Sequence, residues 1–265
     1  MIRARGVALE RVAATGSTND DLLARVCAAA ASGAKAFAPC LLVAACQRAG
    51  RGRHGRAWHG SAGRSLAFSL AWPSARADLS GLSLAVGTAI ADVLDPPERA
   101  QRIGLKWPND LWLLDRAVGD PHLTGRKLAG ILIETAPLGN GRVAVVGVGI
   151  NVGAQAVPDA ASGVASLDEI EPEATAETTL TRVAPALIDA LQAFDAHGFA
   201  AFASRFAARD LLRGRAVAAA DGAIAGVAAG VSPEGALLVD TGNGVVAVTS
   251  GEWRLRLAER AGAPC

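Results

Sequence analysis

The 265-residue sequence has almost no net charge, no long apolar run and no cysteine pattern, and each of these absences excludes something. Its 26 basic residues nearly cancel its 25 acidic ones, so no global field favours nucleic acid or an anionic membrane, and any ionic partner must be met by locally clustered charge. Residues 1–16 lack the apolar core of about 7–15 residues that a secretory signal needs. Nowhere do about 18 apolar residues run together without a charge or glycine. The expectation is a soluble, cytoplasmic protein with no membrane partner. The four cysteines, Cys27, Cys40, Cys46 and Cys265, form no CxxC pair and have no histidine at ligand spacing, which fits reduced thiols without chemistry of their own. No internal repeat and no Ser-His-Asp arrangement are present.

Half of the residues are apolar, 51%, enough to bury a substantial core. After Ser17-Thr18-Asn19, residues 20–31 are rich in Leu and Ala and stop at Gly33, which reads as a polar-capped helix with a glycine end. Residues 41–45 form a short apolar strand. Residues 65–72 alternate, with Leu66, Phe68, Leu70 and Trp72 on one face. Apolar positions recur at helical spacing over 79–94, with Pro96-Pro97 beyond the end. Strands follow at 103–107, 111–114, 127–134 and 143–152, and helices at 179–197 and 199–208. Residues 158–176, with little periodicity, read as a surface excursion. After Arg213-Gly214 the texture changes to short strands separated by Asp221-Gly222, Pro233-Glu234-Gly235 and Gly242-Asn243-Gly244, a small all-β module.

Between the strands at 41–45 and 65–72 lies Gln47 followed by the loop GRGRHGR, Gly50 to Arg56, then Ala57-Trp58. Its closely spaced glycines let backbone amides approach a ligand, and Arg51, Arg53 and Arg56 supply forked donors for carboxylate and phosphate. Gly50, Gly52 and Gly55 also fit GxGxxG, but a dinucleotide site needs a helix opening at the third glycine, and residues 56–63 are broken by small residues. Next, Lys106, Trp107, Pro108, Asn109 and Asp110 end a strand in a proline-fixed turn. A lysine, an amide and a carboxylate there suit a phosphate and its Mg²⁺, although Pro-Asn-Asp is also a common turn. In GRKLAGILIE, Lys127 opens an otherwise buried strand, either as a point charge for an acyl or phosphate oxygen or as a lysine reaching to solvent. In GVGIN, Gly147 and Gly149 leave room for a flat ligand or a close backbone.

These five motifs, Ser17-Thr18-Asn19, GRGRHGR, KWPND, GRKLAGILIE and GVGIN, stand in the order and approximate spacing of the biotin protein ligases, and nearly the whole chain resembles that family. The resemblance implies an α+β fold. Residues 1–212 would be a catalytic domain, a mixed β-sheet with flanking helices like that of the class II aminoacyl-tRNA synthetases. Residues 213–265, with Gly251-Glu252 and Arg254 to Arg256, would be an SH3-like β-barrel. It implies biotin activation by ATP and Mg²⁺ as the adenylate, then transfer to a lysine of the biotin carboxyl carrier protein of acetyl-CoA carboxylase, by a monomer or weak homodimer.

By the same resemblance, Ser17, Thr18, Asn19, Gln47 and Gly50 meet biotin, Gly147 and Gly149 leave space for its ring, and Gly130 with Leu132 lines the slot. Arg51, Arg53 and Lys127 meet the carboxylate and the α-phosphate. Arg56, Trp58, Lys106, Asn109, Asp110 and, less directly, Asn151 serve the nucleotide, with Asp110 at the metal. The chain departs from the family pattern at residues 116–126, a longer turn expected to protrude, and only 16 residues precede Ser17, which leaves no room for the DNA-binding domain of some bacterial members. Two other readings stay open: a lipoate or octanoate ligase or transferase, and an RNA-binding module using the Arg/Gly loop.

Overall fold

The computed structural model describes residues 2, 5–99, 101–116, 124–155, 163–220, 222–249, 251 and 253–255. Seven strands, β1 (Ala8–Val12), β2 (Cys40–Ala44), β3 (Ser65–Ser74), β4 (Ile103–Lys106), β5 (Asp110–Leu114), β6 (Gly125–Leu138) and β7 (Gly141–Asn151), form one sheet in the order β1-β2-β3-β7-β6-β5-β4. Only the β1–β2 pair is parallel, so the sheet is mixed. Three long helices cover it: α1 (Thr18–Ala31), α2 (Leu82–Leu94) and α3 (Ala176–His197).

Strand β3 shows why the layers stack as they do. Leu66, Phe68 and Leu70 are buried in a core shared with α2 and α3, as the alternation predicts. The intervening Ala67, Ser69 and Ala71 are buried too, because α1 packs Leu22 and Val26 on the opposite face with Ala71, Val143 and Val145. The central strands are therefore enclosed on both sides, and a polar residue there, such as Ser69, must find partners within the protein.

Helix α1 starts as its sequence dictates. The Ser17 hydroxyl accepts from the Asp20 N–H at 3.4 Å, and Asp20 and Asp21 place negative charge in the first turn, where the helix dipole favours it. Helix α2 begins at Leu82, not 79, behind Gly81 at φ 78°. Helix α3 begins three residues earlier than its periodicity suggests, because Thr175 and Thr178 form a reciprocal cap. The stretch at 199–208 divides into a 3-10 turn, Phe199–Ala201, and a short α4, Ala203–Ala207.

Two expectations need correction. Residues 158–176 are not simply a surface excursion: Val164 bridges to Lys127, and Ala165 and Leu167 are buried in the main core, while 158–162 lie outside the described residues. Strand β1 went unanticipated because its five residues carry no alternation and it is mostly exposed. Most of the 116–126 segment, the residues Glu252 and Arg256, and Cys265 also lie outside the described residues.

The remaining strands, β8 (Ala216–Ala219), β9 (Ala225–Val231), β10 (Leu237–Asp240), β11 (Val245–Val248) and β12 (Trp253–Leu255), form a second, wholly antiparallel sheet in the order β11-β10-β9-β8-β12. Among the described residues no pairing joins β11 to β12, so an open sheet stands where the resemblance implies a barrel. Its Val217, Ala228, Leu237 and Val239 are buried in the same core as the first sheet, and at one point the contact is bare backbone. A Cβ on Gly235 would lie 2.7 Å from the Gly81 Cα, and the Trp107 indole N–H donates to the Gly235 carbonyl at 3.0 Å. No helix among the described residues is long and apolar enough to cross a membrane.

Residues 209–211 run beside β4 and bring two charged side chains inside. Arg209 is bonded to Asp92, Asp95 and the Ile103 carbonyl. Asp210 accepts the Leu212 N–H at 2.9 Å, but its other carboxylate oxygen is buried without a partner, and burial pushes its pKa above the ordinary 3.8. The folded chain thus holds this proton more tightly than the unfolded chain. Stability is present below pH 3.8 and is lost as pH rises through the raised folded value. Asp210→Asn, which keeps the acceptor for Leu212, is therefore expected to unfold at a higher temperature than the parent at pH 7 and at the same temperature near pH 3. Equal melting temperatures at pH 7 would contradict the assignment.

Candidate functional site

The face of the sheet under α1 contains a window of missing side chains. Ser69 on β3 lies opposite Gly147 on β7, which in turn lies opposite Leu132 on β6, while Gly149 lies opposite Gly130. A Cβ on Gly147 would fall 2.3 Å from Asn19 Oδ1, and one on Gly149 would fall 2.3 Å from the Trp58 ring. The glycines thus allow an amide and an indole to lie against backbone. A cavity of about 320 Å³ opens here, lined by Ser17, Thr18, Asn19, Gln47, Arg51, Trp58, Phe68, Ser69, Gly130, Leu132, Gly147, Val148 and Gly149.

The cavity floor is one hydrogen-bonded chain. Gln47 Oε1 accepts the Thr18 N–H at 2.7 Å. The Ser69 hydroxyl donates to Asn19 Oδ1 at 2.6 Å, and the Thr18 hydroxyl, 2.6 Å from the Ser69 hydroxyl and 3.1 Å from Gln47 Oε1, has one proton to share between these two acceptors. Asn19 Nδ2 then donates to Glu134 at 3.0 Å. Every member is polar and satisfied, which fixes the side chains in place before any ligand arrives.

A second cavity, about 790 Å³, adjoins the first, with Trp58, Gly130 and Leu132 common to both. It is lined by Gly52, Arg53, His54, Arg56, Ala57, Lys106, Trp107, Pro108, Asn109, Asp110, Lys127, Ile131 and Gly251 as well. Lys127 Nζ sits 2.7 Å from Asp110 Oδ1 and 5.9 Å from the centre of the Trp58 ring. Lys106 lies 4.6 Å over Trp112, and Asn109 is tied to β6 through the Ile131 carbonyl at 2.9 Å. The Trp107–Pro108 peptide is cis.

The Arg/Gly loop closes the two cavities from outside. It doubles back on itself: the Trp58 N–H donates to the Gly50 carbonyl at 2.8 Å, the Gly52 N–H donates to the Arg56 carbonyl at 2.8 Å, and Arg53–Gly55 makes a 3-10 turn with His54 at φ 54°. A Cβ on Gly50 would meet the Trp58 carbonyl at 2.5 Å, so glycine is required there. Arg51 reaches α1 and β6, forming ion pairs with Asp20 and, at 2.8 Å, with Glu134. The hydrogen bond that it donates to Asp20 is the chief cause raising its pKa.

Of the residues singled out in the sequence, all but Gly50 and Asn151 line one of the two cavities. Gly50 shapes the loop behind Trp58. Asn151 is buried outside both, its amide donating to the Lys127 carbonyl at 3.3 Å and accepting from Gln155 at 2.7 Å, so it stands behind Lys127. Phe68, Ser69 and Val148, and the Arg51 partners Asp20 and Glu134, were missed. Ser69 carried a signal, since it is a hydroxyl in the middle of an apolar strand.

The fold and the paired cavities define a ligase that handles a small acid, and the comparisons agree. Residues 34–151 match the Biotin/lipoate A/B protein ligase family and residues 214–253 match the Biotin protein ligase C terminal domain. The chain is 34% identical over 262 residues to the biotin--[acetyl-CoA-carboxylase] ligase of Mycobacterium tuberculosis, covering 92% of this chain and 87% of that protein. It is 34% identical over 225 residues to the bifunctional ligase/repressor BirA of Escherichia coli, covering 82% and 67%. The Aquifex aeolicus biotin protein ligase solved with biotin and ATP superposes with a TM-score of 0.73 at 27% identity, over 94% of this chain and 98% of that one. The chain belongs to the biotin protein ligase family.

Proposed function

We propose that this chain joins biotin to ATP as biotinyl-5′-AMP with release of pyrophosphate, and then transfers biotin to a lysine of the biotin carboxyl carrier protein of acetyl-CoA carboxylase. The observation that carries this reading is the junction of the two cavities at Trp58, Gly130 and Leu132, with Lys127 beside it. One cavity suits a flat ureido head group and the other a nucleotide, and the bond to be made falls where they meet. Two relatives are named biotin--[acetyl-CoA-carboxylase] ligase and the Aquifex aeolicus structure holds biotin and ATP, which favours this reading over both alternatives.

In this proposal Ser17, Thr18, Asn19 and Gln47 serve the ureido ring, which offers two donors and one acceptor. Gly147, Gly149 and Leu132 shape the slot. A biotin carboxylate oxygen attacks the α-phosphorus, the bond to the bridging oxygen breaks, and pyrophosphate leaves. Two unit negative charges about 4 Å apart repel by roughly 4 kcal/mol at an effective dielectric near 20. Lys127, Arg53 and Arg56 offset that repulsion and hold the groups in line. The carrier amine then attacks the acyl carbon, AMP departs with the bonding pair, and the amine loses a proton.

Asp110 and Asn109 fit a Mg²⁺ ion that arrives on the triphosphate, since such an ion uses only one or two carboxylates; when bound it would neutralise phosphate charge. Residues 1–212 would form the catalytic part and 213–265 a C-terminal domain. A monomer or weak homodimer is part of the same proposal. The test is biotin-dependent exchange of labelled pyrophosphate into ATP. Exchange with biotin and none with lipoate is expected; exchange driven by lipoate alone, or none with either acid, would overturn the proposal.

A further inference from the structure

Arg51 is already satisfied by protein carboxylates, and this changes what its side chain can do. The loop places it between Asp20, in the first turn of α1, and Glu134, on β6. Two carboxylates around one guanidinium leave no net positive charge to offer an incoming anion. Glu134 has a second bond, from Asn19 Nδ2 at 3.0 Å, and Asn19 belongs to the hydrogen-bonded floor that ends at Gln47. Gln47 and Arg51 lie at the entrance and in the middle of the same loop. The loop is thus fastened to the cavity floor at two points, and the second fastening is an ion pair near the protein surface, with Arg51 43% and Glu134 24% exposed. A contact of that kind is weak enough to open and close.

We propose that Asp20 and Glu134 are positioning residues that hold the Arg/Gly loop shut through the Arg51 side chain, so that Arg51 acts as a latch on the loop and not as an anion-binding group. The inference rests on the adenylate-forming function proposed above. It separates cleanly from the opposite role by sign. If Arg51 were a phosphate or carboxylate ligand restrained by its acidic neighbours, neutralising them would free its charge and tighten retention of the acyl-adenylate. As a latch, the same change loosens the loop and lets the intermediate escape.

The experiment uses Glu134→Gln and Asp20→Asn in the full chain. Both keep side-chain volume and an acceptor oxygen, and neither residue lines either of the two cavities described above. Biotinyl-5′-AMP is formed in place with biotin and ATP, and its loss is followed without carrier, beside biotin-dependent pyrophosphate exchange and thermal unfolding. Each variant is expected to lose the intermediate roughly three- to tenfold faster than the parent, and Asp20→Asn, which lies outside the cavity floor, is expected to keep exchange kcat within about twofold. Glu134→Asp is expected to recover part of the retention. The double variant should be no worse than Arg51→Met, because both ion pairs run through the one Arg51 side chain. Unchanged or tighter retention in both single variants overturns the latch, as does a fall in melting temperature that Glu134→Asp fails to reverse. Absence of exchange in the parent instead overturns the proposed function.

Discussion

Replacing Lys127 by methionine is expected to lower kcat/KM for biotin-dependent pyrophosphate exchange by roughly 100- to 1000-fold, the range for losing one preplaced charge at a reacting oxygen. Two effects add. The ammonium beside the junction of the cavities disappears, and Asp110, whose oxygen it meets at 2.7 Å, keeps a negative charge facing the nucleotide side. The second effect predicts that KM for ATP rises together with the fall in kcat, and that raising Mg²⁺ recovers part of the loss. Lys127→Arg, which keeps the charge but changes its shape, should fall between the two. Rates measured against ATP concentration decide the matter: a methionine variant within threefold of the parent would remove Lys127 from the chemistry.

The largest effect on stability is expected from Arg209→Ala. The side chain is 2% exposed and binds Asp92 Oδ1 at 3.1 Å, Asp95 Oδ2 at 3.5 Å, the Ile103 carbonyl at 3.1 Å and the Asp95 carbonyl at 2.5 Å. Asp95 is 4% exposed, and besides Arg209 it accepts the Ile103 N–H at 2.8 Å. Truncating the arginine strands that carboxylate in the interior and opens a void between the end of α2 and β4. Breaking a buried pair in this way costs about 3–5 kcal/mol, or roughly 10 °C in melting temperature for a chain of this size. Urea denaturation measures it. Adding Asp95→Asn should recover a sizeable part, since the uncompensated charge then disappears; a single-variant loss below about 1 kcal/mol would mean that water reaches the pair.

How legible these features are in the sequence depends on how far apart their partners lie. The alternation of β3 and the Ser17 cap are local patterns, and both appear in the fold as read. The glycines of β7 were legible as spaces, though not as seats for Asn19 and Trp58, because the occupants come from α1 and from the loop. Ala165 and Leu167 sit in a stretch without period, and only pairing with Lys127 carries them into the core. Arg51 was legible as a cation, and its chemistry pointed to an anionic ligand. Its partner Glu134 lies 83 residues away, and only the sheet brings them together. For Asn151 the motif gives a place, a strand end near Lys127, but the direction of its amide toward the Lys127 backbone is set by the neighbouring strand.

The seam at Gly81 and Gly235 limits how this molecule can diverge. Both residues hold positive φ, 78° and 86°, and they touch backbone to backbone. A methyl group at Gly235 would have to displace the Gly81 backbone, and one at Gly81 would strike the Phe199 side chain at 2.6 Å; any shift of the Gly235 turn would pull its carbonyl from the Trp107 indole, two residues before Asn109. Any larger residue at either position is therefore expected to disturb the packing next to the nucleotide side.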